Sequence, residues 1–235
     1  MFSFRRLGLH DLTRGLAAVV LLALGAGCTG GSDSTTDFGD NDPSIVAAIG
    51  DSITFGKHDM GIDSCAHSYR ATIGFCPRLQ GLTGKTVFNE GECGEKSSDG
   101  LDRIDSVLQR LRPGVILIDY SPNDIVYGSD ATIQNLRAMI AIARSNKTVP
   151  ILGTLVPAVG DHSGWEPFIK DLNAKILALC AEEGLACADH YAAFTNDPGF
   201  METPYALLFE DGLHPNSAGY ELMAETWRRP LMRQY

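Results

Sequence analysis

The sequence predicts an α/β fold, in which helices cover both faces of a parallel sheet. Apolar runs of strand length alternate with helix-length segments along most of the chain, which is the pattern of this fold class. The strand candidates are nearly continuous in apolar residues, as expected for parallel strands that are buried on both faces. With 44% hydrophobic and 20% charged residues among 235, the chain has the composition of one globular domain.

Five segments are the predicted strands: Ser44–Gly50, Thr86–Asn89, Val115–Tyr120, Val149–Leu155 and Leu185–His190. Right-handed crossovers between them give a doubly wound sheet. In such a sheet, ligands bind beyond the carboxyl ends of the strands. Residues that carry chemistry are therefore expected directly after strands.

Helices are predicted between the strands from apolar residues at helical spacing. Leu101, Ile104, Leu108 and Leu111 lie on one face, and Pro113 ends the run. The same spacing recurs in Ile133–Ala143 and in Ile169–Leu179, and Gly184 is predicted to end the second of these helices. A last, less regular helix is predicted over Ser217–Leu231.

Two stretches lack a regular pattern, 55–68 and 191–211, and are predicted to be long loops. Loops of this length in a compact domain are often functional walls or lids. Four aromatic residues in or near them either line an apolar pocket or simply cover the core: Trp165, Phe200, Tyr205 and Phe209.

The N-terminus has the pattern of an export signal. Three arginines precede an apolar run from Leu16 to Ala26, which is shorter than the roughly 20 residues of a membrane span. Leu24–Cys28 resembles a bacterial lipobox, although Gly25 stands where that motif prefers an aliphatic residue. We expect a signal peptide over residues 1–27, a lipid on Cys28, and an exported protein anchored to the membrane, facing the periplasm or cell exterior. A retained anchor helix and a secreted soluble product are the alternatives.

Residues 28–43 are predicted to be a flexible tether, because nearly all are Gly, Ser, Thr, Asp or Asn, and residues 44–235 form the domain. The formal net charge is −10. Residues 1–27 contain three Arg and one Asp, so their removal takes the charge to −12. Such an acidic surface excludes nucleic acid as a partner. We expect a monomer.

Cysteines of an exported protein are expected to form disulfides. Pairing of nearest neighbours predicts Cys65 with Cys76 and Cys180 with Cys187, and leaves Cys93 free. A metal site is the weaker interpretation, because the chain has no Cys-x-x-Cys pair and only His67 lies near Cys65. We predict no metal and no cofactor.

A serine and a histidine supply the candidate chemistry. Ser52 follows the first strand in Gly50-Asp51-Ser52, on the turn that leaves the sheet. Near the C-terminus, Asp211 stands three residues before His214, so its carboxylate can accept a hydrogen bond from the ring Nδ1 and leave Nε2 as a base. His58, His67, His162 and His190 lack an Asp at this position and are predicted to be surface or core residues.

Acyl transfer also needs hydrogen-bond donors for the oxyanion. The candidate donors are the backbone N–H groups of Ser52 and Gly94 and the side-chain amide of Asn123. Gly91, in the same turn as Gly94, is the alternative glycine. Asp51 and Asp124 are predicted to hold turns.

These four segments, in this order, resemble the conserved blocks of the GDSL/SGNH hydrolases. The nucleophile block is Gly50-Asp51-Ser52, the oxyanion glycine is Gly94 after Asn89, and the terminal block is Asp211 with His214; Asn123 matches the asparagine of Gly-x-Asn-Asp. In the block that contains Asn123, the glycine of Gly-x-Asn-Asp is replaced by Ser121, and Pro122 follows it. The resemblance implies a flavodoxin-like three-layer α/β/α sandwich with strand order 2-1-3-4-5.

The resemblance further implies a serine esterase that cleaves carboxylic esters, with Ser52 as nucleophile, His214 as base and Asp211 as orienter. Short acyl chains are the expected substrates, and lysophospholipids or acetylated polysaccharides are the alternatives. A catalytically inactive, lipid-anchored binding protein is the alternative of another class. A flavodoxin-like cofactor carrier is disfavoured, because no phosphate-binding loop follows the first strand.

Overall fold

The computed structural model describes residues 36–120 and 122–235. The predicted signal peptide, Cys28, the first part of the predicted tether and Ser121 lie outside the described residues. Within the described part of the chain, none of the helices is both long and apolar enough to span a bilayer.

Five parallel strands form one sheet in the order β2-β1-β3-β4-β5, which confirms the predicted fold class and strand order. The strands are β1 (Asp42–Gly50), β2 (Thr86–Gly91), β3 (Pro113–Asp119), β4 (Val149–Gly153) and β5 (Cys187–Ala188). The last strand is shorter than predicted. Asp189 ends it, because its carboxylate caps a helix that begins at His190 by accepting a hydrogen bond from the N–H of Ala192.

Helices cover both faces of the sheet, as in a three-layer sandwich. They are α1 (Ser52–Phe55), α2 (Phe75–Thr83), α3 (Ser97–Leu111), α4 (Ser129–Ser145), α5 (Glu166–Glu183), α6 (His190–Thr195), α7 (Pro198–Glu202) and α8 (Ser217–Met232). Alternate residues of β1 point to opposite faces: Ala47 and Ile49 pack in the cluster with α3, α4 and α5, whereas Val46 and Ala48 pack with α2 and α8. All four are fully buried, as parallel strands require.

The long helices agree with their predicted stripes and have recognisable ends. The helix α5 has Pro167 in its first turn and ends at Gly184, which adopts φ +63°. The helix α8 begins after Asn216, whose side chain accepts hydrogen bonds from the N–H groups of Ala218 and Gly219.

The structure corrects one loop prediction and adds a helix that was not predicted. Residues 191–211, predicted to be irregular, contain most of α6, all of α7 and a short 3₁₀ turn at Pro204–Ala206. The sequence pattern also missed α2, whose buried residues Phe75, Cys76 and Leu79 span little more than one turn. Helices this short carry too few apolar positions for a helical period to be visible.

The predicted tether also ends earlier than expected. The hydroxyl of Thr36 donates to the carbonyl of Gln234, and the ring of Phe38 stacks on Tyr235 with centroids 5.7 Å apart. Asn41 donates through Nδ2 to the carbonyl of Asn146 at 2.6 Å. Residues 36–43 therefore pack against the domain, and β1 begins at Asp42, two residues before the predicted boundary.

Candidate functional site

Ser52 lies on the sharp turn that leaves the carboxyl end of β1. Asp51 caps the following turn of helix, because its Oδ1 accepts a hydrogen bond from the N–H of Ile53 at 2.8 Å. Only a glycine fits at position 50, since a Cβ there would lie 2.1 Å from the carbonyl oxygen of Asp119. Gly50 thus lets the end of β1 lie close against β3, and Ser52, 9% exposed, follows as the first residue of α1.

The structure brings Ser52, His214 and Asp211 together in one hydrogen-bonded chain. Ser52 Oγ lies 2.9 Å from His214 Nε2, although the two residues are 162 positions apart. His214 Nδ1 lies 2.6 Å from Asp211 Oδ2. The other carboxylate oxygen of Asp211 accepts the N–H groups of Leu213 and His214, each at 3.0 Å. The ring of His214 is therefore held by its Nδ1, and its Nε2 is directed at the serine hydroxyl.

The turn that carries Asp211 and His214 is closed by backbone hydrogen bonds. The N–H of Phe209 donates to the carbonyl of His214 at 2.8 Å, and Gly212 takes φ +71° at the tip. The carbonyl of Gly212 accepts the N–H of Val159, and a Cβ at position 212 would lie 2.4 Å from the Val159 carbonyl oxygen. The turn is thus packed against the segment that follows β4.

Asn216 fixes this turn to the rest of the molecule, a role that the sequence analysis did not foresee. Its Oδ1 caps α8, while its Nδ2 lies within 3.2 Å of the carbonyl oxygens of Tyr205, Ala206 and Leu208. One side chain therefore joins the 205–208 segment to the helix that follows His214.

The electrostatics of Asp211 follow from these contacts. Burial raises the pKa of its carboxyl group, but hydrogen bonds from the His214 ring and from two backbone N–H groups outweigh burial, and the pKa lies well below its ordinary value. Asp211 is therefore an anion throughout the neutral range. This fixed anion holds the ring tautomer that carries its hydrogen on Nδ1, leaves Nε2 free to accept a proton, and stabilises the imidazolium that then forms.

The two candidate glycines lie at the carboxyl end of β2: Gly91 is the last residue of the strand, and Gly94 lies in the turn that follows. The N–H of Gly91 donates to Asn89 Oδ1 at 3.0 Å, and a Cβ on Gly91 would lie 2.2 Å from the backbone nitrogen of Phe55. Gly91 is thus a packing residue. Gly94 has φ +78°, and nothing lies within 4 Å of a Cβ built on it, so the space on that side of the residue is open. This arrangement favours Gly94 over Gly91 as the candidate donor.

Asn123 links the serine turn to the glycine turn. Its Nδ2 donates to the carbonyl of Glu95 at 3.0 Å and to Asp51 Oδ2 at 3.3 Å. Its neighbour Asp124 is buried and accepts hydrogen bonds from the N–H and the hydroxyl of Ser97, the first residue of α3. Asp51 and Asp124 therefore hold turns, in agreement with their predicted roles.

One predicted disulfide is wrong and the other is confirmed. Cys65 pairs with Cys93, whereas Cys76 is a free, buried thiol on α2. Nearest-neighbour pairing failed because Cys76 points into the core beneath the sheet, while the end of β2 brings Cys93 to the loop after α1. Cys180 pairs with Cys187 as predicted. The Cys65–Cys93 bond therefore attaches the loop after α1 to the turn that contains Gly94, the residue after Cys93.

Two histidines that the sequence analysis placed at the surface or in the core contact Asp211. The Nδ1 of His162 donates to the Asp211 carbonyl oxygen at 2.8 Å, and His58 Nε2 lies 3.4 Å from Asp211 Oδ2. The sequence could indicate a partner of Asp211 only where that partner lies close along the chain, as His214 does. His58 and His162 are distant from Asp211 in sequence, so no local pattern indicated these contacts. His67, by contrast, pairs with Glu92 and is exposed, and Cys65 is disulfide-bonded, so neither supports the weaker zinc interpretation.

His58, Asp211 and His214 present ligand atoms within 4.8 Å of one another, a spacing that could suit a metal ion. Asp211 and His214 already satisfy each other through their 2.6 Å hydrogen bond, and His214 Nε2 bonds the serine. A metal ion on His214 would have to break one of these contacts. We therefore interpret the group as a hydrogen-bonded one.

The aromatic residues named above separate into two groups. Phe209 stacks on His58 and Trp165 contacts His162, so both lie beside a histidine that reaches Asp211. Phe200 instead packs edge-on against the buried Phe194, in the core. These three therefore do not form one pocket wall, and the fourth residue, Tyr205, is 47% exposed.

The loop between α1 and α2 is anchored by a buried carboxylate. Asp59, which has no exposed surface, accepts two hydrogen bonds from Arg78, one from the Ser217 hydroxyl at 2.6 Å and one from the N–H of Gly74 at 2.7 Å. Burial raises the pKa of Asp59, but Arg78, Ser217 and Gly74 together hold it below its ordinary value. The anchor joins this loop to α2 and α8.

The doubly wound sheet of order 2-1-3-4-5 with helices on both faces is the fold of the SGNH hydrolases. Residues 48–222 match the GDSL-like lipase/acylhydrolase family. The match covers well over half of the chain, so the protein belongs to this family of hydrolases.

Solved structures agree with this membership. A G-D-S-L-family lipolytic protein of Desulfitobacterium hafniense DCB-2 is 25% identical with a TM-score of 0.64, and the match covers 79% of this chain and 98% of that one. A lipase/acylhydrolase of Enterococcus faecalis is 29% identical with a TM-score of 0.62, and the match covers 79% of this chain and 93% of that one. An acetylxylan esterase of Geobacillus stearothermophilus shares the fold at 20% identity, with a TM-score of 0.66 over 81% of this chain and 95% of that one. No curated protein matched the sequence.

The contacts of Asp59 predict a pH-dependent loss of stability in Asp59→Asn. The substitution removes the buried partner of Arg78 and leaves it only the exposed Glu221, so the free energy of unfolding at pH 7 should fall by about 3 kcal/mol. The folded pKa of Asp59 is lowered, so its contribution is full above the unfolded value of about 4 and is lost as pH falls through the folded value. Urea unfolding at pH 7 and pH 3 should show the difference between variant and wild type shrinking at pH 3.

Asp63→Asn is the matched control, because Asp63 lies on the same loop but its side chain is 72% exposed. It should change stability by less than about 0.5 kcal/mol. Equal losses in the two variants, or a loss in Asp59→Asn that does not depend on pH, would contradict this account.

Proposed function

We propose that the protein is a serine esterase that hydrolyses carboxylic esters through an acyl-enzyme on Ser52. The observation that carries the proposal is the chain of hydrogen bonds from Ser52 Oγ to His214 Nε2 (2.9 Å) and from His214 Nδ1 to Asp211 Oδ2 (2.6 Å). A nucleophile within hydrogen-bond reach of a base, itself oriented by a carboxylate, is the arrangement that nucleophilic catalysis needs.

In the first half of the reaction, Ser52 Oγ bonds to the ester carbonyl carbon as its proton passes to His214 Nε2. The resulting imidazolium is stabilised by Asp211, whose lowered pKa keeps it ionised. His214 then gives this proton to the alcohol oxygen as the carbon–oxygen bond of the ester breaks. In the second half, water attacks the acyl carbon as its proton passes to His214 Nε2; His214 then returns this proton to Ser52 Oγ as the bond between Oγ and the acyl carbon breaks, which releases the carboxylic acid and the free serine.

Three donors are proposed for the oxyanion: the N–H groups of Ser52 and Gly94 and the Nδ2 of Asn123. The open space around Gly94 supports its part. Asn123 Nδ2 already donates to Glu95 and, at the longer distance of 3.3 Å, to Asp51. The longer bond is the one that an oxyanion would replace. One well-placed donor contributes about 3 kcal/mol to lowering the barrier.

Short acyl esters are the proposed substrates, and acetylated glycans are the second candidate. Two surface cavities of the described residues, of about 560 and 510 Å³, lie away from Ser52 and His214, so neither of these two would hold an acyl chain beside the nucleophile. The similarity in fold to an acetylxylan esterase supports acetyl groups as the acyl part. A net charge of −10 disfavours binding at an anionic lipid surface, which weakens the lysophospholipase alternative.

We also propose that the protein is exported and held at the membrane by a lipid on Cys28. The disulfides Cys65–Cys93 and Cys180–Cys187 support export, because such bonds persist in oxidising compartments. Cells fed radiolabelled palmitate should label the wild-type protein but not Cys28→Ala. Equal labelling of both proteins, or of neither, would contradict lipidation at this residue.

Replacing the nucleophile should abolish turnover. Ser52→Ala removes the attacking oxygen, so kcat/KM on p-nitrophenyl acetate should fall by roughly 10³-fold or more, and labelling by a fluorophosphonate should be lost. Ser106→Ala, on the exposed face of α3, is the control and should behave as wild type. Retained activity in Ser52→Ala would refute the assignment. Ligand binding without turnover in the wild type would favour an inactive binding protein.

A series of p-nitrophenyl esters from acetate to palmitate, with acetylated xylan and a lysophospholipid alongside, tests the substrate class. We expect kcat/KM to be highest for acetate or butyrate and to fall by at least about tenfold at palmitate, because each unaccommodated methylene forgoes favourable burial. A preference for palmitate or for the lysophospholipid would overturn the short-chain proposal.

A further inference from the structure

His58 lies in a position that the reaction described above does not use. It follows α1 in a left-handed backbone conformation, with φ +65°, and its side chain is only 10% exposed. Its ring stacks on Phe209 with centroids 4.1 Å apart and planes 4° from parallel. The stacking and the backbone together fix the direction of the imidazole.

That direction is toward two carboxylates, that of Asp211 and that of Asp63, whose Oδ1 lies 3.5 Å from His58 Nε2 but whose side chain is 72% exposed. The Nε2 of His58 lies 3.4 Å from Asp211 Oδ2, the same oxygen that binds His214 Nδ1 at 2.6 Å. The rings of His58 and His214 are 5.0 Å apart and meet edge to face. The other oxygen of Asp211 is occupied by the N–H groups of Leu213 and His214. One carboxylate oxygen thus faces two imidazoles.

His58 is suited to be an uncharged donor at this place. Burial lowers its pKa, and the nearby His214 lowers it further, while Asp211 raises it; Lys57 lowers and Asp63 raises it by smaller amounts. These four are the charged groups that face it, and the remaining neighbour, Phe209, is apolar. A neutral ring with its hydrogen on Nε2 can donate to Asp211 without placing a second cation beside the His214 imidazolium.

We propose that His58 is a positioning residue, which shares Asp211 Oδ2 with His214 and holds this carboxylate in place against the His214 ring. The inference rests on the proposed esterase function, because it concerns the base of that reaction. A 3.4 Å contact is long for a hydrogen bond in the resting protein, and such contacts can tighten when charge develops in the transition state. The role of His58 should therefore be visible in kcat rather than in KM.

Two substitutions separate the donor from the stacked ring. His58→Phe keeps a flat ring against Phe209 but removes the donor, and His58→Gln restores an amide N–H close to the position of Nε2. In His58→Phe, kcat on p-nitrophenyl acetate should fall about fivefold with KM within about twofold, as expected for one hydrogen bond. Without this donor the negative charge of Asp211 is less neutralised, so it holds a proton on the His214 ring more strongly. The acid limb of the kcat/KM profile should therefore move to higher pH by about half a unit.

His58→Gln should recover most of the kcat and return the acid limb toward the wild-type position. His67→Phe removes an exposed imidazole from the same loop and should leave the acid limb where it is. An unchanged acid limb and kcat in His58→Phe would overturn the proposal. So would a fall in kcat that accompanies a lower Tm, leaves the pH profile unmoved and is not rescued by Gln, since that pattern indicates a merely structural role.

A measurement without turnover distinguishes this proposal from the esterase function. In the NMR spectrum of the protein without substrate, the resonance of the proton between His214 Nδ1 and Asp211 Oδ2 should shift in His58→Phe and return in His58→Gln. If the wild type proves inactive on every ester while this shift is seen, the esterase function fails and the positioning contact stands. An unshifted resonance in His58→Phe would overturn the contact itself.

Discussion

The hydrogen bond between Ser52 and His214 is the contact on which the site depends. It joins the end of the first strand to a turn that precedes the last helix, across 162 positions of the chain. Neither residue is reactive alone, because a serine hydroxyl needs a base and a neutral imidazole needs an orienting group. Two local structures make the contact possible: the turn capped by Asp51 at the end of β1 carries Ser52, and the closed turn from Phe209 to His214 directs the ring toward it.

The loops around this contact are tied to one another rather than to the sheet alone. Asn89 donates to the carbonyl of Phe55 and accepts the N–H of Gly91, and Asn123 bridges the serine turn and the glycine turn. The Cys65–Cys93 bond adds a covalent link on the same side. Because oxyanion donors contribute only when they are held in advance, such cross-links between loops are the physical condition for the proposed catalysis.

Much of this could be predicted from short segments, because each part has a local cause. Apolar stripes predicted the four long helices, continuous apolar runs predicted the strands, and Asp211 with His214 lies within one turn of chain. The missed contacts between side chains have a common cause. The Cys65–Cys93 bond and the contacts of His58 and His162 with Asp211 join distant segments, and the sequence contains no local pattern that signals them. The short helices failed for a different reason, since one or two turns carry too few apolar residues.

The sequence by itself determined the α/β class, the family resemblance and the candidate residues Ser52, Asp211 and His214, because periodicity and close spacing are properties of neighbouring residues. The tertiary structure alone decided that Gly94 rather than Gly91 faces open space, that Cys93 rather than Cys76 binds Cys65, and that a second imidazole reaches Asp211. These are matters of distance between remote segments. Such distances are set by how the sheet and its crossovers bring strand ends together, and only the folded chain fixes them.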